Sequence, residues 1–472
     1  MAAFASASGD HSPLHSDPEF GRRTAFGAPI VYGGLETIAL LGLLPEHVQA
    51  RVRRVRSVFA GPVLIGEAVS ATAQARPDRE DEWELVLRGR GLVLARVTVG
   101  PGAASPAGAR RPSSGAVAGA PPVGLQLSGE YADASLAGLA GELGAGAVPG
   151  AVLDGIAWAS HAVGAAISGF HGLCAAVTVD AGAGGRGATR RLHVVECDER
   201  TDRIVIQGGV SDAAGQARCE CELECFPFAP TPLAAPSEFA GRAGGTVVVV
   251  GGSRGAGGAL ALALLGAGYD VHVVFAGAVR AAADLRELAG PAAPRLTLHQ
   301  LDSANAGAVD QLVSHVGEPL DGLVLCAAPA PLPMALTPET AGQLAAFVAS
   351  SVTLGAVPLS AFAPRMRRPG GWVICFSAAE IEAPSRGTPQ LAAAKAALEG
   401  VARAAAVAFP GLAVLLARVP AMATDLANTP AARRRAVAPE AVAADLVARV
   451  AQGVAPGVTV ASEFGAHRAF GV

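Results

Sequence analysis

A short apolar strand that runs into a glycine-rich turn and then into a helix is the feature that most constrains the fold. The strand covers Thr246–Val250, and apolar strands alternate with alanine-rich helices from there to the end of the sequence. The turn consists of Gly251, Gly252, Ser253, Arg254, Gly255, Ala256 and Gly257. Glycines in this context let a phosphate approach the N-terminus of the following helix. The alternation predicts an α/β domain with a doubly wound parallel sheet.

Two stretches rich in Pro, Gly, Ala and Ser, roughly 100–122 and 229–245, are typical of linkers. A chain of 472 residues is long enough for about three units of ~150 residues each. We therefore expect domains over residues 1–99, 123–228 and 244–472.

The first two segments share one order of elements. The first has an apolar helix over 34–44 and strand-like runs over 55–59, 67–73 and 83–98. The second has an apolar helix over 151–167 and strands near 173–179, 190–197, 204–208 and 217–226. A helix that is apolar nearly all round must be wrapped, and a curved antiparallel sheet is the available wrapper. The predicted fold class is an α+β double hotdog followed by an α/β Rossmann-like doubly wound parallel sheet.

The C-terminal segment resembles the short-chain dehydrogenase/reductase family. The resemblance implies that the cofactor-binding residues are Gly251, Ser253, Arg254, Gly255, Gly257 and Asp302. Of these, Asp302 follows the third strand, where the family's aspartate contacts adenine. The end of the second strand, 273–277, has no acid for a ribose 2′-hydroxyl, whereas Arg254 can face a 2′-phosphate. NADP is therefore the cofactor expected if one binds, and the alternative is a fold kept for its shape with an empty pocket.

Departures from that family predict a domain that cannot reduce a carbonyl. The family has a proton-donating tyrosine four residues before the lysine that matches Lys395, and a serine thirteen residues before that tyrosine. This chain has Leu391 and Ala378 at those positions. The family's Asn-Asn-Ala-Gly turn is Leu-Cys-Ala-Ala over 325–328, and the asparagine of the next helix is Ser351. Reduction needs a titratable proton beside the carbonyl, so we expect a pseudo-ketoreductase.

The beginning of the chain carries a second motif. Residues 8–15 read Ser-Gly-Asp-His-Ser-Pro-Leu-His, and residues 29–34 read Pro-Ile-Val-Tyr-Gly-Gly. This resembles the MaoC-like, or (R)-specific enoyl thioester hydratase, hotdog motif, in which Gly-Asp-x-Asn-Pro-x-His precedes a Val-His-Gly turn. The sequence departs from that motif twice, because Ser12 replaces the asparagine and Tyr32 replaces the histidine before the glycine.

The resemblance implies catalytic roles for Asp10, His15 and Gly33. A carboxylate and an imidazole can hold one water between them while the imidazole exchanges the α proton of the substrate. The backbone N–H near Gly33 lies at the start of an apolar helix. It is suited to stabilise the negative charge that develops on the thioester oxygen, because helix N-termini favour anions. The structural alternative is that Asp10 caps a turn and that His15 is a hydrogen-bonded loop histidine.

The middle segment lacks this motif and is expected to support or shape an acyl tunnel. His161 lies on its central helix and is expected to be packed rather than catalytic. Cys219, Cys221 and Cys225 have even separations, which places them on one face of a strand as core residues. Three sulfurs in line do not converge on a tetrahedral metal, so no metal site is expected.

Composition restricts the partners. The formal net charge is -4 and no run of like charge is longer than Arg433 to Arg435, which argues against nucleic acid. The apolar stretch 258–279 is broken by Asp270 and His272, so no membrane partner is expected. No signal peptide is visible, and the odd number of cysteines, seven, fits a reducing cytoplasm.

Three hypotheses follow for function. The first is a dehydratase or hydratase of 3-hydroxyacyl and enoyl thioesters carried by acyl carrier protein or coenzyme A, in polyketide or lipid assembly. This lyase reaction needs no cofactor, and we expect a homo-oligomer. The second is a non-catalytic acyl-thioester binding or scaffold protein. The third is an atypical NADPH-dependent ketoreductase.

Overall fold

A computed structural model describes residues 1–79, 81–102, 117, 119–131, 136–164, 171–228, 231–235, 244–428 and 430–464. The chain divides into two compact units. Unit 1 comprises Met1–Gly21 and Ala28–Ala229, and unit 2 comprises Arg22–Gly27 and Pro230–Val472. Much of the predicted linkers, over 103–116, 118, 229–230 and 236–243, lies outside the described residues.

Up to residue 228 the chain has the two apolar helices, each followed by a run of strands, that the sequence predicts, together with further short helices. The helices are α1 (Ala2–Ser8), α2 (Pro18–Arg22), α3 (Gly33–Leu41), α4 (Glu46–Gln49), α5 (Ala137–Glu142) and α6 (Gly150–Gly164). The strands are β1 (Arg54–Phe59), β2 (Ser70–Ala75), β3 (Trp83–Gly89), β4 (Leu92–Gly100), β5 (Gln126–Glu130), β6 (Gly172–Ala181), β7 (Gly187–Asp198), β8 (Arg203–Asp212) and β9 (Ala217–Pro227).

The strands of unit 1 form one nine-stranded sheet in the order β2-β3-β4-β1-β6-β9-β8-β7-β5. All its pairings are antiparallel, and the pairing of β1 with β6, from Arg54↔Asp180 to Val58↔Ala176, joins the two halves. Both apolar helices bury side chains in a single core, including Ile38 of α3 and Ile156 of α6. The two sequence segments therefore share one sheet and one hydrophobic core.

Two expectations for unit 1 are corrected. The run 83–98 is two strands rather than one, because Arg90 (φ 52°) and Gly91 (φ 70°) form a tight turn between β3 and β4. Positive φ at two successive turn residues matches the right-handed twist of a hairpin. Strand β5 was not expected, since its five residues are all exposed and give no alternation of apolar residues. The end of the predicted helix 151–167 falls partly on residues 165–170, outside the described part.

Cysteines of β9 occupy the positions expected from their spacing. Cys219, Cys221 and Cys225 are all buried, with 1%, 6% and 0% of their surface exposed. Residues between them, such as Glu220, face outwards. Their assignment to the core is confirmed.

Unit 2 contains the strands and helices of an α/β domain. The strands are β10 (Thr246–Val250), β11 (Asp270–Phe275), β12 (Leu296–Gln300), β13 (Gly322–Leu325), β14 (Trp372–Ala378), β15 (Ala413–Val419) and β16 (Gly457–Ala461). The helices are α7 (Gly255–Gly266), α8 (Val279–Ala289), α9 (Ala306–His315), α10 (Ala341–Phe362), α11 (Pro389–Ala408), α12 (Pro430–Arg433) and α13 (Pro439–Ala451).

The seven strands of unit 2 are all parallel and follow the order β12-β11-β10-β13-β14-β15-β16. Alternate residues of β10 enter two separate cores: Val247 and Val249 on one face, Val248 and Val250 on the other. A parallel sheet with both faces covered requires such continuous apolar strands. From β10 the strand order runs outwards in both directions, first to β11 and β12 and then, on the other side, to β13 and the later strands. This is the order of a Rossmann-like doubly wound sheet, so this prediction is confirmed.

One helical segment of unit 2, Pro338–Arg365, is long and apolar enough to cross a membrane by length and composition. Its uncharged run is longer than the apolar stretch 258–279, which Asp270 interrupts. A core helix of a soluble protein that passes the same test is mostly buried, whereas only 22% of this apolar window is buried. Within unit 2, α10 packs against α9 and α11.

Candidate active site

Asp10 is fixed at the end of α1, where Gly9 adopts a left-handed conformation (φ 70°) that a side chain would strain. The residue is only 3% exposed. Its Oδ1 accepts a hydrogen bond from the N–H of Ser12 at 2.9 Å, and its Oδ2 accepts one from the hydroxyl of Ser160 at 2.6 Å. Each carboxylate oxygen has two acceptor sites, so Asp10 retains capacity to accept a further hydrogen bond.

His15 ends a short 3-10 turn, Pro13–His15, and its Nδ1 lies 3.0 Å from the carbonyl oxygen of Ile30. A carbonyl can only accept, so Nδ1 carries the proton and Nε2 keeps a lone pair. Burial lowers the pKa of His15, while the hydrogen bond to Ile30 and the charge of Asp10 oppose that shift. His15 is therefore a neutral base at neutral pH.

Tyr32, which replaces the histidine of the resembled motif, connects the two predicted catalytic residues. Its ring stacks on the ring of His15 with centroids 3.7 Å apart, and its hydroxyl donates to the carbonyl oxygen of Asp10 at 2.9 Å. Burial, with the charge of Asp10, raises the pKa of Tyr32 to about 12, so the phenol stays protonated and remains a donor. This departure from the motif positions the site.

Gly33 begins α3 and lies next to Tyr32. A Cβ on Gly33 would lie 2.8 Å from Cζ of Phe59, so only glycine fits there. The side chain of Tyr32 does not cap the helix, which leaves the first-turn amides to other acceptors. The N-terminus of α3 is thus suited to an oxyanion, and the three predicted residues Asp10, His15 and Gly33 are gathered around Tyr32.

Sequence reasoning missed the contribution of α6. Ser160 binds Asp10, and a Cβ on Gly164 would lie 1.8 Å from Oδ1 of Asp10. The two residues are four apart and therefore share one face of the helix. No local pattern links them to Asp10, which lies 150 residues from Ser160. The helical spacing of two small residues was the available signal.

His161 also lies at the edge of this site. A Cβ on Gly9 would lie 3.3 Å from Nδ1 of His161. Burial lowers the pKa of His161, and the charge of Arg190 lowers it further. The histidine packs against the turn that ends α1. That it has no catalytic role stays a prediction.

A cavity of about 500 Å³ in unit 2 is lined by every predicted cofactor residue of the glycine turn and by Asp302. Gly251 has a φ of 81°, and a Cβ there would lie 2.6 Å from the amide nitrogen of Ala327. A Cβ on Gly257 would lie 2.3 Å from the carbonyl oxygen of Gly251. These close approaches require glycine and leave the N-terminus of α7 open to a phosphate.

Arg254 precedes α7, and its Nη1 lies 3.3 Å from Oδ2 of Asp425. Burial lowers the pKa of Arg254 and the charge of Asp425 opposes the shift. Asp425 in turn accepts a hydrogen bond from the N–H of Thr231 at 2.8 Å. A 2′-phosphate at Arg254 would therefore compete with the carboxylate of Asp425.

Comparison with known families matches the two ends of the chain separately. Residues 1–85 match the family described as MaoC like domain, and residues 245–436 match the family described as short chain dehydrogenase. The chain has a MaoC-like domain at its N-terminus and a short-chain dehydrogenase domain.

The MaoC-like domain is similar to two curated proteins. It is 37% identical over 89 residues to the (R)-specific enoyl-CoA hydratase of Aeromonas caviae, covering 17% of this chain and 63% of that protein. It is 31% identical over 89 residues to the mitochondrial 3-hydroxyacyl-[acyl-carrier-protein] dehydratase of Arabidopsis thaliana, covering 19% of this chain and 54% of that protein. The chain thus spans less than two thirds of each relative.

The short-chain dehydrogenase domain is similar to solved structures. One is a short chain dehydrogenase from Burkholderia cenocepacia J2315 in complex with NADP, with 24% identity, a TM-score of 0.41, and coverage of 46% of this chain and 95% of that chain. Another is a dehydrogenase/reductase from Sinorhizobium meliloti 1021, with 25% identity, a TM-score of 0.42, and coverage of 47% and 95%. The fold of the domain is established here by its own parallel sheet.

Within the short-chain dehydrogenase domain, Lys395, which the sequence analysis matched to the lysine of the family, lines the same cavity. Its Nζ donates to the carbonyl oxygen of Phe376 at 2.9 Å, and burial lowers its pKa. Leu391, one turn earlier on α11, and Ala378, at the end of β14, both line the cavity. The adjacent hydroxyl of Ser377 donates to Glu399 at 2.7 Å. Neither Leu391 nor Ala378 carries a titratable proton.

Proposed function

We propose that the MaoC-like domain adds water reversibly to 2-enoyl thioesters, carried by acyl carrier protein or coenzyme A, to give 3-hydroxyacyl thioesters. The observation that carries this proposal is the hydrogen bond from Nδ1 of His15 to Ile30, which leaves Nε2 as a base. Asp10 acts on the same imidazole electrostatically, and Tyr32 contacts both residues. The names of the two curated relatives support the choice of substrate class.

The reaction can be written with one water and one base. Asp10 and His15 hold the water, and Nε2 of His15 takes its proton as the oxygen bonds to C3 of the acyl chain. The electron pair of the C2–C3 double bond moves towards the thioester, whose oxygen is stabilised by the amide of Gly33 at the start of α3. The His15 imidazolium then gives the same proton to C2. Dehydration is the reverse sequence.

Unit 1 as a whole supports a double hotdog. One sheet is continuous across both halves, and α3 and α6 share its core. The second half supplies Ser160 to the carboxylate of Asp10, so we infer that it completes the site although it lacks the Asp/His motif.

The proposal is tested by incubating the full chain with crotonyl thioesters of coenzyme A and of acyl carrier protein. Mass spectrometry should detect a product heavier by one water, and its absence on both carriers would refute the proposed reaction. If the product forms from only one of the two thioesters, that result identifies the carrier that the protein uses.

The pH dependence of hydration should show the lowered pKa of His15. The reaction needs neutral imidazole, and an ordinary histidine is half protonated at pH 6.5. Since burial lowers the folded-state pKa, the base form persists below that pH. The kcat/KM of the free enzyme should therefore stay flat as pH falls through 6.5 and decline only at lower pH. An acid limb centred above 6.5 would contradict this assignment.

We propose further that the short-chain dehydrogenase domain is a pseudo-ketoreductase that binds NADP without turnover. Its glycine turn and the N-terminus of α7 would hold the pyrophosphate, and Asp302 lines the same cavity. The reduced cofactor would supply a hydride to a carbonyl when bound, but no side chain at positions 378 and 391 can supply the accompanying proton. The domain would then contribute an interface or a sensor rather than a reduction.

Steady oxidation of NADPH is accordingly not expected with β-ketoacyl thioesters. Absorbance at the reduced nicotinamide band should fall no faster than with heat-killed protein, while NADPH fluorescence should change on binding. The double change Leu391→Tyr with Ala378→Ser is expected to leave turnover absent, because the asparagines of the family are also missing at 325–328 and at Ser351. Clear wild-type oxidation above the heat-killed control would instead support an atypical ketoreductase.

A further inference from the structure

Glu36 is a buried acid that the proposed mechanism does not use. It lies in the first turn of α3 and is only 8% exposed. Among the described residues, its Oε2 has no hydrogen-bond partner. Burial, with the neighbouring charge of Glu67, raises the pKa of Glu36 to about 8. At neutral pH this side chain is mostly a neutral carboxylic acid, which can both donate and accept.

The surroundings of Glu36 do not explain its presence. Its neighbour Glu67 is bonded to the guanidinium of Arg90, which also donates to the carbonyl oxygen of Pro62 at 2.7 Å. Cys174 also lies near Glu36, and its pKa is raised to about 12 by burial and by the charges of Glu36 and Glu224. A neutral thiol is a weak partner. Burying a carboxyl oxygen without a hydrogen-bond partner is costly, and such exceptions concentrate at functional positions.

The position of Glu36 relates it to the reacting centre. It follows Gly33, the first residue of α3, by three residues, so the two positions share one face of the helix. Helical side chains lean back towards the N-terminus, which tilts Glu36 towards the turn that holds Tyr32 and Gly33. The helical rise from Gly33 to Glu36 is about 4.5 Å. An acyl chain whose thioester oxygen is bound at Gly33 would therefore reach Glu36 a few carbons beyond the reacting double bond.

We propose that Glu36 recognises an oxygen substituent, a hydroxyl or a keto group, on the acyl chain beyond the carbons that react. This inference rests on the proposed function, because it takes an acyl thioester as the molecule that binds in the site. It assigns Glu36 as a specificity-determining residue and predicts that an oxygenated chain, rather than a plain alkyl chain, is the preferred substrate.

Two matched substrates test this proposal. One is the pantetheine thioester of hex-2-enoic acid, and the other is the same thioester with a hydroxyl on the fifth carbon. For the wild-type chain, kcat/KM should favour the hydroxylated substrate by roughly tenfold to a hundredfold, the effect of pairing a buried polar group. Glu36→Leu should remove that preference. Glu36→Gln, which keeps a donor and an acceptor, should retain most of it.

Thermal melting separates recognition from a structural role. Glu36→Leu removes a buried carboxyl oxygen, Oε2, that has no hydrogen-bond partner among the described residues, so its melting temperature should rise by a few degrees. A fall in melting temperature, with both substrates slowed equally, would assign Glu36 to the core and overturn the proposal. Equal wild-type kcat/KM for the two substrates would overturn it as well.

Failure of the proposed reaction gives a different pattern. If the wild-type chain hydrates neither substrate, calorimetry with the two corresponding saturated thioethers decides the matter. Tighter binding of the hydroxylated thioether, lost in Glu36→Leu, would support recognition by Glu36 although hydration is refuted. Equal affinities, or no binding of either thioether, would overturn the recognition as well.

Discussion

Replacing His15 with alanine is expected to slow hydration of an enoyl thioester by roughly 100- to 10,000-fold. The substitution removes the base whose Nε2 is left free by the hydrogen bond from Nδ1 to Ile30. It also removes the ring that stacks on Tyr32, but Tyr32 keeps its hydrogen bond to Asp10. The free energy of unfolding should therefore fall by about 1 kcal/mol or less.

His11→Ala is the matched control for this prediction. His11 lies four residues earlier in the same polar segment and is exposed, so its removal should change neither rate nor stability appreciably. Initial rates from the enoyl absorbance and thermal melts of the three proteins provide the comparison. A His15→Ala protein that keeps the wild-type rate would place the base elsewhere, and one that fails to fold would make His15 structural.

Gly164→Ala is the second change for which a large effect is expected. The added Cβ would lie 1.8 Å from Oδ1 of Asp10, so the carboxylate must leave its position between Ser12 and Ser160. A displacement of about 1 Å at a catalytic group can cost on the order of 100-fold in rate. Loss of the buried hydrogen bonds should cost about 1–3 kcal/mol of stability.

Gly141→Ala controls for the loss of a helical glycine. Gly141 lies in α5, and nothing approaches within 4 Å of the Cβ that alanine would add there. This variant should keep the wild-type rate and gain up to about 1 kcal/mol of stability, because alanine favours helices over glycine. If Gly164→Ala hydrates the thioester as fast as Gly141→Ala, the position of Asp10 does not govern the rate.

Local sequence was sufficient to predict the site residues that lie close together in the chain. Asp10, His15 and Gly33 lie close together in the sequence, and turn-forming residues between them fix their neighbourhood. The fold of unit 2 was equally accessible, because alternation of apolar strands with helices specifies a parallel sheet wherever it occurs. In both cases the determining pattern spans few residues or repeats at short intervals.

Long-range contacts escaped the sequence analysis. The bond from Ser160 to Asp10 and the close approach of Gly164 depend on how α6 packs in unit 1, and small residues on a helix face have many structural explanations. The role of Tyr32 was also missed, since it was taken only as a departure from a motif. Its stacking on His15 became evident from the geometry of the α3 N-terminus.

The burial of Glu36 shows a further limit of sequence patterns. A glutamate in the first turn of a helix is ordinarily explained by the helix dipole, and the sequence of α3 gives no reason to expect otherwise. Only the packing of the described sheet and of the loop around Glu67 reveals that Oε2 of its carboxyl is buried with no hydrogen-bond partner among the described residues. Burial of this kind is a property of the assembled core rather than of any local segment.

The most direct test of the central claim is the rate at which the absorbance of a crotonyl thioester falls with the wild-type chain and with Asp10→Asn. Asparagine keeps the size of the side chain and its position beside Ser12 and Ser160 but removes the negative charge that acts on His15. The account predicts clear hydration by the wild type and a loss of at least about 100-fold in the variant. An inert wild-type chain, or an Asp10→Asn chain with the full wild-type rate, would contradict it.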